Sequence, residues 1–256
     1  MAPWLPLSTR ITDTAEKPAT PAYAHMTTRL LADWGWTWEK DGSHWILHTR
    51  EVPSSLAFRG ERDWSGAAFF WGWVALAGGN LTLKLEPSFL QPEARALPKL
   101  LPSVRFTFTG AGECFLEGAG QTPLPLQESV EDTPDLVPML AVVAAFASAP
   151  SQLTGIHTLP HKESNRLAAL AQELSRIGAS LSWDATTLHI RPVSRPPQHP
   201  VVLDSHGDHR IAMALSLVAA RAQAPIYIQG AGCVAKSFPS YWQMLENLGL
   251  SLTFVL

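Results

Sequence analysis

Two patterns of apolar and polar positions alternate along the chain. In the first, an apolar stretch ends in Leu-x-x-x-Gly and two short alternating segments follow. It is read as RLLADWGWTWEKDGSHWILH, as ALAQELSRIGASLSWDATTLHIRP, and as YWQMLENLGLSLTFVL, where the chain ends early. ALPKLLPSVRFTFTGAGECFLEG is a weaker copy. The first three predict a helix closed by a left-handed glycine and then two strands, and the weaker copy predicts the same elements without the glycine. In the second pattern an Asp precedes a very apolar helix and a strand. It is read as DWSGAAFFWGWVALAGGNLTLKL, DLVPMLAVVAAFASAPSQLTGI and DHRIAMALSLVAARAQAPIYIQ. The leading Asp63, Asp135 and Asp208 recur at intervals of 72 and 73 residues, each where a helix N-cap belongs.

Together the patterns define a repeated unit that reads helix, strand, helix, strand, strand. Phe69 to Ala77 and Leu140 to Ala147 are apolar nearly all round, as buried helices are. Leu81, Leu83 and Leu85 alternate with Thr82 and Lys84, as strands with one wet face do. The expected fold class is therefore α/β with helices inside and sheets outside, an inside-out barrel. Residues 59–256 are expected to form a complete three-unit domain. Residues 1–58 are expected to be the last unit of another, joined through His48 to Phe58 and exposing apolar surface around Trp34, Trp36 and Trp38.

A chain of 256 residues, 46% apolar, is long enough to bury a core and too apolar for disorder. Its formal net charge of −3 argues against a general nucleic-acid binder. Cys114 and Cys233 are far apart and make no metal spacing or disulfide framework, so a reducing, cytoplasmic compartment is expected. The longest apolar run, Leu136 to Ala149, has 14 residues and contains Pro138, which suits a buried helix and not a membrane span.

Candidate chemistry gathers at helix entrances. His161 to Arg166 opens one helix, Gly207 to Arg210 another, and Lys236 stands before a third from about Tyr241. Cations in a first helical turn oppose the helix dipole unless an anion joins them. Asp63 and Asp208 read as caps; Asp135, set among cations, can serve also as a base, and Glu163 is a second acid/base group. His206 and His209 lack a third ligand at metal spacing, so no metal is expected.

At these residues the sequence resembles the 5-enolpyruvylshikimate-3-phosphate synthase (3-phosphoshikimate 1-carboxyvinyltransferase) family. HKESNR is similar to its Val-Lys-Glu-Ser-Asp-Arg signature, DSHGDHRIAMALSLVA to its Asp-His-Arg-Ile-Ala-Met helix, and CVAKSFPSYWQML to its Lys-(Ser/Thr)-Phe-Pro segment. ERDWSGAAFF, TPDLVPMLAVVAAFA and TPAYAHMT resemble further segments in the same order. The resemblance implies transfer of the enolpyruvyl group from phosphoenolpyruvate to the 5-hydroxyl of shikimate 3-phosphate, without metal or organic cofactor. By position it makes Asp135 the base, Glu163 the proton donor and Lys162 a neighbour of the reacting centre. It assigns Thr20, Asp135, Thr158 and Lys162 to shikimate 3-phosphate, and Arg166, Arg210 and Lys236 to phosphoenolpyruvate. Asn165 and His25 stand where the family has Asp, and Pro160-His161 where it has Arg-(Val/Ile). The family's N-terminal Lys-Ser, Gly-Asn-x-Gly-Thr and Ser-Ser-Gln motifs have no counterpart here. A separate N-terminal half is thus an expected partner, with a catalytically inactive anion-binding half-domain and a UDP-N-acetylglucosamine enolpyruvyl transferase as the alternatives.

Overall fold

The computed structural model describes residues 8–12, 14, 21–48, 60–88 and 90–254. Thr20, and all of the expected connection except His48, lie outside the described residues.

Three apolar helices make the interior: α2 (Trp64–Ala77), α4 (Val137–Ala145) and α6 (His209–Ser216). Every residue of α2 from Trp64 to Leu76 is buried, as is every residue of α4. In α6 Arg210 alone escapes burial. The three pack on one another, α2 against α4 and α4 against α6. Removing side chains such as Trp71, Phe69 and Leu140 from water gains about 1.5–3 kcal/mol each, which drives these faces together.

Sheets lie around them. Strand β4 (Gly79–Leu83) pairs antiparallel with β6 (Glu113–Gly118), which pairs with β5 (Val104–Thr109) after helix α3 (Pro92–Leu100). The second sheet has the order β7 (Gln127–Ser129), β8 (Ser151–Thr154), β10 (Thr187–Arg191) and β9 (Ser180–Trp183), with α5 (Arg166–Ser175) between β8 and β9. The third pairs β11 (Val201–Asp204) with β12 (Ile226–Gln229) ahead of α7 (Tyr241–Asn247). The burial of β12 alternates residue by residue, as the wet-face pattern requires. This is the inside-out arrangement expected from the sequence.

Two strands go beyond the sequence expectation. β7 and β11 precede α4 and α6 and pair parallel with β8 and β12, so α4 and α6 are each the crossover of a β-α-β unit. β7 is three residues long and exposed throughout, which leaves no alternation to read. After α7, Gly249 takes the left-handed φ of 91°, as Gly178 does at 93° after α5, yet residues 251–254 form no strand.

The first unit holds β1 (Thr9–Thr12), α1 (Pro21–Asp33), β2 (Trp38–Asp41) and β3 (His44–Leu47), with β3 central in the sheet. Here the expectation of exposed tryptophans is corrected. Trp36 is 2% exposed and Trp34 and Trp38 are half-buried. For Trp38 the reason is local: it packs on Trp45 at 5.0 Å, which His25 of α1 meets edge-on at 6.0 Å.

Close approach between layers has a testable consequence. A Cβ on Gly118 of β6 would lie 2.6 Å from the Val74 carbonyl oxygen of α2. Gly118→Ala is therefore expected to destabilise the fold by roughly 1–3 kcal/mol through overpacking against rigid backbone. An unchanged urea midpoint would mean that β6 and α2 can part without penalty.

Candidate functional site

The entrances of α4, α5 and α6 converge on Asp135. It sits in a 3-10 turn, Pro134–Leu136, ahead of α4. The sequence expectation of an N-cap fails for this residue. Backbone bonds close the turn instead, from Leu136 N–H to the Thr133 carbonyl and from Val137 N–H to that of Pro134. Pro138 removes one N–H that a cap would have served. The carboxylate is thus free to face three cations. Its Oδ1 is 2.8 Å from Arg166 Nη1 and 3.3 Å from Lys162 Nζ, and its Oδ2 is 3.3 Å from Arg210 Nη2.

The sequence expectation that Lys162 and Glu163 lie in a first helical turn is corrected. They occupy the loop between a 3-10 turn, Leu159–His161, and α5. Asn165 caps α5, its Oδ1 accepting from Ala168 N–H, and Arg166 is the first helical residue. The Arg166 side chain, 3% exposed, binds both oxygens of the fully buried Asp208, at 2.8 and 3.3 Å. Asp208 in turn caps α6 by accepting from Arg210 N–H. The entrances of α5 and α6 are thus capped by their own side chains, which leaves anion attraction to the cationic side chains more than to helix ends.

Lys236 ends the 3-10 turn Ala231–Lys236 and donates to Glu163 Oε1 at 2.6 Å. The other Glu163 oxygen is 2.8 Å from His209 Nδ1. Arg210 Nη2 also donates to Ser65 Oγ at 2.9 Å, and Ser65 donates to Asp63, the cap of α2. All six charged residues singled out from the sequence, Asp135, Lys162, Glu163, Arg166, Arg210 and Lys236, therefore fall in one network. Thr158 stands apart: it heads the Leu159–His161 turn, and its hydroxyl is buried without a hydrogen-bond partner among the described residues.

Four cations, Lys162, Arg166, Arg210 and Lys236, face three carboxylates, Asp135, Glu163 and Asp208, which leaves a surplus of positive charge. Burial would raise the Asp135 carboxyl, but Arg210, Lys162 and Arg166 override it and hold it below the ordinary aspartate range. Burial opposes ionisation of Glu163 too, and the bonds from Lys236 and His209 override it downward. Asp208 is held low in the same way by Arg166. All three acids are thus ionised in the free protein.

Sequence reasoning missed the second role of Asp208, read only as a cap, and the contributions of Ser65, Ser164 and the Tyr23–Glu93 pair. Glu93, in the first turn of α3, is 1% exposed and accepts a hydrogen bond from the Tyr23 hydroxyl. Burial pushes the Glu93 carboxyl up. A ligand atom each of Glu163, Asp208 and His209 lie within 4.8 Å of one another. Those atoms already serve Lys236, Arg166, Ser164 and one another, so the donor set is satisfied by fixed cations and does not fit a resident metal.

Comparison with known proteins bears on this site. The family model for EPSP synthase (3-phosphoshikimate 1-carboxyvinyltransferase) matches residues 5–245. The curated 3-phosphoshikimate 1-carboxyvinyltransferase of Syntrophobacter fumaroxidans is 34% identical over 241 residues, covering 91% of this chain and 55% of the relative. That of Methanoculleus marisnigri is 33% identical over 242 residues, with the same coverage. The chain thus spans about half the length of the curated relatives it matches. Among solved structures, EPSP synthase from Acinetobacter baumannii superposes with a TM-score of 0.74 at 23% identity, over 96% of this chain and 57% of that one. The enolpyruvyl transferase NikO from Streptomyces tendae superposes with a TM-score of 0.66 at 20% identity, over 98% of this chain and 57% of that one. The fold is that of the enolpyruvyl transferases, and with the family match running through every element that carries the Asp135 network, the chain belongs to the EPSP synthase family.

Proposed function

We propose that this chain supplies one wall of the site in which the enolpyruvyl group passes from phosphoenolpyruvate to the 5-hydroxyl of shikimate 3-phosphate, with release of phosphate. The observation that carries the reading is the convergence of Lys162, Arg166 and Arg210 on Asp135, a carboxylate with no capping duty. Such an array attracts an anionic ligand and keeps a base beside it. Asp135 takes the hydroxyl proton. Arg166, Arg210 and Lys236 hold phosphoenolpyruvate, and Lys162, Thr158 and Thr20 serve shikimate 3-phosphate.

Glu163 gains its acid character from binding. In the free protein Lys236 and His209 keep it ionised. A phosphate or carboxylate that takes over Lys236 removes that support and adds negative charge nearby, which raises the Glu163 pKa toward a proton donor's. The opposing wall belongs to the part of the enzyme that the curated relatives carry beyond the matched region, within the same chain or a separate one. Residues 1–58 are read as the last unit of that other domain and residues 59–256 as a three-unit domain. No described helix is long and apolar enough to cross a membrane; a cytoplasmic location is part of the proposal.

The test is calorimetric titration with phosphoenolpyruvate. Arg210→Ala removes a charged donor of a kind worth about 1.5–3 kcal/mol, so affinity is expected to fall about ten- to a hundredfold. Equal affinity in the variant and the parent would sink the assignment of Arg210.

A further inference from the structure

Helix α5 grips the segment before α6 at two points. Arg166, at its first turn, holds Asp208. Glu173, seven residues on and so on the same face, holds the strand end and loop that lead there. Glu173 is fully buried, and its oxygens are filled: Oε2 accepts from Asp204 N–H at 3.0 Å and from Arg176 Nε at 3.0 Å, and Oε1 lies 3.0 Å from His206 Nε2. None of these contacts reaches Asp135, Glu163 or Lys236. A buried carboxylate needs such partners, but a structural role alone calls for no particular ones.

The partner is unusual. Among the described residues His206 is the non-glycine residue with positive φ, at 52°, and Gly207 follows at 70°. Two successive left-handed residues turn the chain from β11 into α6, so that Asp208 N–H reaches the Ser205 carbonyl and the next three residues, Asp208, His209 and Arg210, enter the charged network. Histidine enters that backbone more readily than most side chains, yet glycine is free of strain there. What the side chain adds is the anchor to Glu173, helped by the His206 N–H bond to Asp204 Oδ1 at 2.8 Å.

We propose that Glu173 and His206 are positioning residues. Their pair fixes the left-handed turn and thereby sets where Asp208, His209 and Arg210 stand against a bound anion. The proposal rests on the reading of the network as the phosphoenolpyruvate site for its binding arm, and not for its structural arm.

The experiment follows backbone amide exchange by NMR in the full chain, with thermal melting and titration by phosphoenolpyruvate. His206→Gly relieves the strained φ and removes the anchor together, so the melting temperature is expected to stay within a few degrees while the amides of Asp208 and Arg210 exchange on the order of tenfold faster. Phosphoenolpyruvate affinity is expected to fall on the order of fivefold, and His206→Gln, which can still reach Glu173, recovers most of both effects. Glu173→Leu is expected to match His206→Gly in the loop, with a lower melting temperature. Unchanged exchange at Asp208 and Arg210 in His206→Gly overturns the proposal. So does acceleration spread evenly over α4 and α5, which marks general loosening. If the parent chain binds no phosphoenolpyruvate, the functional reading fails by itself and the exchange pattern still decides the positioning role.

Discussion

Arg166→Met is expected to remove about 3–5 kcal/mol of folding stability, the penalty for leaving a buried charge without its partner. The burden falls on Asp208 more than on Asp135. Asp135 keeps Lys162 and Arg210 at 3.3 Å and is 17% exposed. Asp208 has no exposure and, among the described residues, keeps the Ser164 hydroxyl and the Arg210 N–H as close donors, with His209 Nδ1 at 4.0 Å. The pH dependence carries the signature. In the parent protein Asp208 titrates below its unfolded value, so its contribution is complete above the ordinary carboxylate range, about 3.9, and is lost as pH falls through the folded pKa. Without the guanidinium, burial drives the same carboxyl above its unfolded value, and the sign reverses. The variant is then hurt least near pH 4 and increasingly as pH rises through the new pKa. Urea unfolding of both proteins from pH 4 to 8 reads this directly. A deficit independent of pH would place the loss in packing and not in Asp208. Adding Asp208→Asn to the variant should recover part of the stability at neutral pH, because the amide removes the stranded charge.

How much of this could be read from the sequence differs by element. The three apolar helices were legible because burial on all sides leaves no polar stripe, and Phe69 to Ala77 has none. The Leu-x-x-x-Gly ends were legible because a left-handed cap asks for glycine, and Gly35, Gly178 and Gly249 all have φ between 84° and 93°. β7 and β11 were not, since strands of three and four residues, the first wholly exposed, carry no period of two. At the site, residue types told more than local geometry. Asp63, Asp135 and Asp208 occupy equivalent places in the repeat, yet Asp63 is a cap, Asp208 both a cap and an ion partner, and Asp135 no cap at all. The proline-closed turn distinguishes the last, and Pro134 and Pro138 are visible signals of it. Glu173, by contrast, stands three residues after Leu170 and four before Ile177, at the edge of the apolar stripe, where the sequence alone shows no partner for a carboxylate. Its burial depends on β11, a strand far along the chain, and only the tertiary contact reveals it.

Asp135→Asn is expected to lower phosphate release from phosphoenolpyruvate and shikimate 3-phosphate by about 10²–10⁴-fold, the range lost when a positioned base is removed. The substitution keeps the shape of the side chain and deletes its charge and proton affinity. It also ends competition for Lys162, Arg166 and Arg210, which then face the ligand without an internal counter-ion. Phosphoenolpyruvate affinity should therefore hold or rise while turnover falls, a split that a merely misfolded site does not produce. The starting rate depends on assembly. Catalysis by charge placement needs the whole preorganised enclosure, since a single open wall leaves the reacting groups in water. The chain alone is accordingly expected to release phosphate no faster than buffer. The remaining portion of a curated relative, added as a second polypeptide, is expected to restore turnover. The comparison of parent and Asp135→Asn belongs in that assembly. Phosphate release that survives Asp135→Asn at the parent rate would falsify its role as the base, whereas a parallel loss of affinity and turnover would make Asp135 a structural counter-ion for the three cations.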